Sequence, residues 1–365
     1  MSYLVAILIF GLLIFLHELG HFVVAKLSGI AVLQFTIGFG PAILKKKIKG
    51  TVYAIRLLPL GGAVMMKGED GEDGAETEQL LVGGKTEEAS DEQPEGLSFY
   101  EASWIRRFCV SAAGAVMNFI TGVVILFLLL IPAQYTSTAT ISEFMDGFPY
   151  AAKDHPQGLG FAEGDTIVKV NDFTVYTLSD FNLAMSYDTD SRYDITLRRG
   201  DQTVRLRDFE MKPTVLDPDT GSYLYGFRLS TEQLTAGGKI KYAAKNAMTY
   251  LQSAVLGLKM LFTGQVSTND MMGTVGIASE MGAVAKQSMS ALWSLAAYIS
   301  INLAFVNLLP IPALDGGKIL FLLIELVRGK KLDPKYEGAA SLVGLVLMLA
   351  LFVFVTYHDI VRLIP

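Results

Sequence analysis

The sequence predicts a multi-pass α-helical membrane protein with four transmembrane helices, a β-rich region after the first helix, and one small α+β domain outside the cytoplasm. Three observations predict it. The 365 residues are 51% hydrophobic and 18% charged, against about 25% charged in soluble proteins. Four apolar runs, near 3–24, 108–131, 290–309 and 341–361, reach the roughly 20 residues that a spanning helix needs. Between them lie Gly- and Pro-punctuated stretches of β-branched and aromatic residues, which read as strands and turns.

The first run, "YLVAILIFGLLIFLHELGHFVVAKLSG", could be a signal peptide. It is long, no Lys or Arg precedes it and no A-x-A site follows, so it reads as a retained span. Positive charge orients the bundle. Lys26, Lys45, Lys46, Lys47, Lys49, Arg56, Arg106 and Arg107 fall between the first two spans, and Lys318, Arg328, Lys330, Lys331 and Lys335 between the last two. Both loops are expected in the cytoplasm, with both termini and residues 132–289 outside.

Net charge is −6, but residues 68–96 hold 11 acids and one lysine, a local −10, which leaves −6 − (−10) = +4 for the rest. This is a mildly basic membrane body with an acidic loop, and nothing suggests nucleic-acid binding. The single cysteine, Cys109, permits no intrachain disulfide and is expected to pack as a small hydrophobe.

Inside the first span stands "LHELGH". Charged and strongly polar groups are costly there, by about 2.5–3.5 kcal/mol each. His17 and His21 are four residues apart and share one helix face. With Glu18 they form H-E-x-x-H on a helix, in which two imidazoles hold zinc and the glutamate acts as general base. His155 and His358, the other two histidines, are expected at the surface or interface. Catalytic zinc takes three protein ligands, and "SINLAFVNLLPIPALDGGKILF" holds a candidate third in Asp315. Pro310 and Pro312 break the helix before it. Irregular backbone at membrane depth is tolerated where it lines a protein-buried or watery cavity. Asp315 could equally cap the following helix "KILFLLIELV", and the two roles are compatible.

"HELGH" in the first span with "NLLPIPALDGG" after the third resembles the site-2 protease family of intramembrane zinc proteases, of the bacterial regulator of sigma-E protease type, over nearly the whole chain. The resemblance implies His17, His21 and Asp315 as zinc ligands and Glu18 as the base. It implies a substrate contact for Asn307, in the N-x-x-P-x-P-x-L-D-G run. "SAAGAVMNF" resembles the second-span G-P-x-x-N-F pattern with Ala115 in place of proline. There Asn118 is a candidate substrate contact or an interhelical hydrogen bond, with Gly114 allowing close packing.

The elements then read in order as follows: 1–30, first span with the zinc motif; 31–67, a region that resembles the family's membrane-reentrant β-hairpin; 68–98, an acidic segment of disordered composition. Residues 99–132 form the second span. Residues 133–212 form an extracytoplasmic domain in which "GFAEGDTIVKVND" resembles a PDZ domain, present once. Residues 213–289 form a linker with an amphipathic helix on the outer membrane surface, and contain "MMGTVGIASEMGAVAKQS", which resembles the family's G-G-P-V-G-I segment at Gly273 and Gly276. Residues 290–330 hold the third span and the aspartate motif, and 331–365 the fourth span.

The resemblance implies a zinc endopeptidase of the bacterial cytoplasmic (inner) membrane. Its partners would be the lipid bilayer, single-span membrane protein substrates and an upstream site-1 protease that shortens them first. Anti-sigma factors, signal-peptide remnants and pheromone precursors are the substrate types implied. A helix hides its peptide bonds, so a β edge near the metal would hold an unwound substrate. Two rival readings are a zinc or ion transporter and an inactive PDZ-bearing scaffold. Against them stand the absence of repeated halves and the intact Glu18.

Overall fold

The computed structural model describes residues 2–69, 94–154, 159–187, 190–213, 215–216, 223–264 and 273–363. His155 and the bulk of the acidic segment lie outside them. The helices are α1 (Ser2–Leu27), α2 (Trp104–Leu130), α3 (Leu178–Tyr187), α4 (Ala236–Phe262), α5 (Thr274–Gln287), α6 (Met289–Asn307), α7 (Asp315–Arg328) and α8 (Pro334–Leu363). The described residues form two compact units, 2–125 with 259–363, and 126–258.

In the first unit α1, α2, α6 and α8 are long and apolar enough to cross a membrane, so this is a multi-pass membrane protein. The second span begins at Trp104, earlier than its apolar run, because Arg106 and Arg107 lie in its first turn. The fourth begins at Pro334, a residue preorganised for the start of a helix. Ala6, Ile9 and Leu13 of α1 pack against Met281 of α5 and Leu292, Ala296 and Ile299 of α6. Leu342, Val343, Val346, Leu347, Phe352 and Val353 of α8 are exposed, as lipid-facing residues are. Cys109 corrects its expectation. It is exposed, on a stripe of α2 with Ile105, Val116 and Ile120 that faces away from the bundle. His358 lies against the rings of Phe354 and Tyr357, at centroid distances of 4.7 and 5.9 Å. Gly273 and Gly276, at the start of α5, donate their N–H groups to the Asp359 carboxylate at 3.1 and 2.8 Å. A carboxylate at a helix N-terminus is favourably placed, and it ties α5 to α8.

The region after α1 is more than a hairpin. β1 (Val32–Ile48) and β2 (Thr51–Met66) are each bent, and their halves pair separately. Residues 42–48 run against 51–56, from Ala42↔Arg56 to Ile48↔Thr51. Residues 32–37 pair on one side with 62–66, from Val32↔Met66 to Ile37↔Gly62. On the other side they pair with 52–55 in the same chain direction, from Gln34↔Val52 to Ile37↔Ile55. The sheet order is therefore 62–66, 32–37, 51–56, 42–48. Gly38 and Gly40, at φ 85° and 87°, make the bend in β1 where other residues would be strained. Phe35 anchors the sheet to α1 through the Phe22 ring, 4.8 Å away. Lys26 of α1 donates to Thr51 Oγ1, which donates to the Val32 carbonyl, both at 2.8 Å. The acidic segment is ordered at its far end, against expectation. Ala31 N–H donates to the Leu97 carbonyl and Leu97 N–H to the Gly29 carbonyl, each at 3.0 Å, and the buried Phe99 of the apolar "LSFY" packs beside them.

The second unit holds the antiparallel sheet β10-β3-β4-β6-β7 with β5 beside β4. Its strands are β3 (Tyr135–Phe144), β4 (Thr166–Val170), β5 (Phe173–Thr174), β6 (Arg192–Arg199), β7 (Gln202–Glu210) and β10 (Phe227–Gln233), with the short pair β8 (Val215–Leu216) and β9 (Tyr223–Leu224) between the last two. Tyr193, Ile195 and Leu197 alternate inward along β6 onto Ile141, Phe161, Ile167 and Phe181. Two features correct the expected linker over 213–289. β10 pairs with β3, and its polar "FRLSTEQ" carries no alternation that would mark it as a strand. Gln252 of α4 takes the place of a strand partner: it accepts from Thr174 N–H and donates to Thr174 O and Asp180 Oδ1, each at 3.0 Å. Burial raises the Asp180 carboxyl above its ordinary pKa.

In the first unit a buried ion pair fastens α7 to α2. Arg107 Nη2 lies 2.6 Å from Glu325 Oε2, at 3% and 6% side-chain exposure, and Trp104 Nε1 donates to the Leu322 carbonyl at 2.7 Å. Removing one partner strands a buried charge. R107M should therefore destabilise by about 3–5 kcal/mol, and R107M/E325L should recover most of that, as read by thermal unfolding in detergent.

Candidate active site and metal centre

The site is assembled from four helices, α1, α2, α6 and α7, and one strand, β2. On α1, His17 and His21 stand one turn apart with ring centroids 4.9 Å apart. α6 ends at Asn307, and residues 308–314 form the irregular turn that Pro310 and Pro312 predict. Ala313 there takes φ 77°. Asp315 is the first residue of α7. The helix cap is Leu314, and it makes no side-chain cap bond. The capping role considered for Asp315 is thus overturned: the residue sits inside the helix, and its carboxylate turns to the histidines. Gly316 and Gly317 permit this, since a Cβ would come within 2.1 Å of the Leu309 carbonyl oxygen or 2.6 Å of that of Ile311.

His17 Nε2 lies 3.3 Å from Asp315 Oδ2, His21 Nε2 lies 3.3 Å from the same oxygen, and the two Nε2 atoms are 3.3 Å apart. Three donors at equal spacing form one face of a tetrahedron. A tetrahedron with metal bonds of about 2.0–2.1 Å has edges of about 3.3–3.4 Å. Asp315 Oδ2 is buried and makes no hydrogen bond of good geometry. Two imidazoles and a carboxylate are the donor set of catalytic zinc, so the residues present fit that ion.

The outer nitrogens of both rings are held. His21 Nδ1 lies 2.8 Å from the Val110 carbonyl on α2, a bond that fixes Nε2 as the free donor atom. His17 Nδ1 lies 3.2 Å from the Asn118 side-chain amide; with Nε2 free for a metal, Nδ1 carries the proton and donates, so the amide is turned to present Oδ1, which otherwise is buried without a partner. Asn118 is buried, and its main-chain carbonyl accepts from Ser300 Oγ of α6 at 2.7 Å. Asn307 Nδ2 stands 3.4 and 3.5 Å from the two His17 nitrogens. All six residues singled out in the sequence, His17, Glu18, His21, Asn118, Asn307 and Asp315, lie in or beside this site. Glu18 lies against the sheet, where a Cβ on Gly62 would meet its Cγ at 2.8 Å.

Sequence reasoning missed Val110, whose contribution is a backbone carbonyl that any residue could supply. It also missed Ser300 and Gly62, which matter only by where packing puts them. Gly20, the fourth residue of the zinc motif, brings α1 and α2 together, since its Cβ would lie 2.6 Å from the Ala113 carbonyl oxygen. Gly114 of α2 meets His17 and His21 of α1. A Cβ there would lie 2.2 Å from His21 Nε2 and 2.5 Å from His17 Cε1, in the space before both ligand atoms. G114A should therefore lower the zinc stoichiometry of the purified protein, measured by elemental analysis, while G338A in α8, where no atom stands within 4 Å of a built Cβ and the backbone is helical, should leave it unchanged.

Comparison with known proteins gives the family. The profile of Peptidase family M50 matches residues 5–351. The zinc metalloprotease RasP of Bacillus licheniformis is 33% identical over 421 aligned positions, covering 98% of this chain and 98% of the relative. The regulator of sigma-W protease RasP of Bacillus subtilis is 30% identical over 422 positions, covering 98% and 97%. A Clostridium acetobutylicum protein carried under a zinc metalloprotease name is 33% identical over 362 positions, covering 98% and 96%. The chain belongs to peptidase family M50, the site-2 protease family of intramembrane zinc metalloproteases.

Proposed function

We propose that this enzyme hydrolyses peptide bonds within the membrane-spanning segments of single-span membrane proteins, with His17, His21 and Asp315 holding zinc and Glu18 as general base. The observation that carries the reading is the equal 3.3 Å spacing of His17 Nε2, His21 Nε2 and Asp315 Oδ2 in a bundle of spanning helices. Zinc, when bound, supplies a Lewis acid and acidifies water at the site. Glu18 takes the proton of the attacking water and passes it to the leaving amine. Asn118 and the Val110 carbonyl keep the two imidazoles turned toward the ion. For Asn118 the 3.2 Å approach to His17 favours this orienting role over a substrate contact. Asn307, at the open end of α6, is left to meet the substrate.

The two edges of the sheet suggest where substrate lies. The 42–48 edge carries Lys45, Lys46 and Lys47, the kind of charge that discourages strand pairing. The 62–66 edge, Gly-Ala-Val-Met-Met, carries no charge and passes Glu18 at Gly62. An unwound segment paired to that edge exposes its carbonyls to the site, which a helix does not.

The domain that begins at 133 and takes in β10 reads as a single PDZ-like module that binds trimmed substrate ends or excludes bulky ones. It lies outside the cytoplasm with both termini, in the bacterial cytoplasmic membrane. An upstream site-1 protease acts first, and anti-sigma factors, signal-peptide remnants and pheromone precursors are the substrate types. The name of the Bacillus subtilis relative, a regulator of sigma-W protease, favours the first.

E18Q should keep its zinc and lose cleavage of a spanning peptide by about 10²–10⁴-fold; an E18Q enzyme that still cuts at the wild-type rate refutes the assigned base. D315A should lose zinc and activity together, and unchanged metal content in that variant removes Asp315 from the ligand set.

A further inference from the structure

Glu69 is the first acid of the acidic segment and the last described residue after β2. Its Oε1 lies 2.5 Å from Lys318 Nζ, with side-chain exposures of 9% for Glu69 and 29% for Lys318. Lys318 is three residues beyond Asp315 on α7, so both side chains leave the helix on one face. Glu69 is three residues beyond Met66, the end of β2. The pair therefore runs from the glycine-rich sheet edge to the helix that carries the third ligand. Both charges also lie within electrostatic reach of Glu18. Exposed surface pairs contribute little and need no special site. A pair drawn this far from water costs desolvation and is kept where geometry requires it.

We propose that Lys318 and Glu69 are positioning residues: their ion pair is a strut that ties the end of the 62–66 edge to α7. The inference rests on the edge-strand reading above. On its inner side that edge is held by pairing with 32–37 and by Lys67 N–H donating to the Ala31 carbonyl at 2.9 Å. Those bonds set the edge against its sheet. The strut sets it against the metal ligand, and so holds the edge where an unwound substrate pairs. Neither charge touches the reacting atoms.

The test uses the full-length enzyme in bilayers and a spanning peptide as substrate. E69Q and K318M should raise KM by about tenfold, the loss of one charged hydrogen bond, with kcat and zinc stoichiometry within about twofold of wild type. K318R keeps charge and reach and should restore KM. A K318R enzyme as poor as K318M, or a fall in kcat with KM unchanged, overturns the strut. Amide hydrogen exchange over residues 61–67 should quicken in E69Q and K318M; unchanged exchange also overturns it, whatever activity shows. A wild-type enzyme that cleaves no span, together with quickened exchange in the variants, would sink the protease reading and leave the strut standing.

Discussion

Two imidazole nitrogens and a carboxylate oxygen, each 3.3 Å from the others, are poor neighbours in an apolar bundle. Their lone pairs converge on one point, and a buried carboxylate without a counter-charge is strongly disfavoured. A divalent cation at that point turns repulsion into coordination. The rest of the first unit is arranged around that convergence. α1 supplies two donors from one face, α2 fixes the outer nitrogen of His21, and the break between α6 and α7 delivers the third donor.

Close helix approach makes this possible, and small residues make close approach possible. Gly20 of α1 meets Ala113 and Met117 of α2, and Gly114 of α2 meets His17 and His21 of α1. The first clears the Ala113 carbonyl and the second clears the histidine rings. Gly122 does the same for Ile301 between α2 and α6, where a Cβ would lie 2.5 Å from Cγ1. Within the bilayer there is little hydrophobic gain from bringing helices together, so van der Waals contact and hydrogen bonds such as Ser300 to Asn118 hold the crossing. The buried Arg107–Glu325 pair fastens the far end of α7. That helix is thus held near both ends, by its glycines against the broken turn and by the ion pair against α2.

A helix hides its peptide bonds in its own hydrogen bonds, and the sheet after α1 is the part of the first unit with main-chain edges. Folding each long strand on itself leaves two edges rather than one hairpin rim. One edge bears a run of lysines and the other bears glycine beside Glu18. The difference is a property of the sheet order, since both edges come from the same hairpin in sequence.

Much of the site was legible because it is local. The i, i+4 spacing of His17 and His21 puts both on one face of any helix, and an apolar run of spanning length makes the helix. Pro310 and Pro312 foretell a break, and an acid after such a break is conspicuous. The cap role offered for Asp315 and the packing expected of Cys109 failed for one reason. Each depends on which way a side chain turns, and neighbours decide that. The second bending of β1 and β2, the polar strand β10 and the order at Leu97 lacked a periodic signal.

The sequence alone determined the spans, the histidine pair and the list of residues able to complete a zinc site. Composition and short-range spacing carry that information. Only the tertiary structure decided that Asp315 meets the imidazoles, that Val110 and Asn118 hold them, and that Glu69 joins Lys318. Those contacts join residues distant in the chain, and packing of whole helices, not any local propensity, sets their distances.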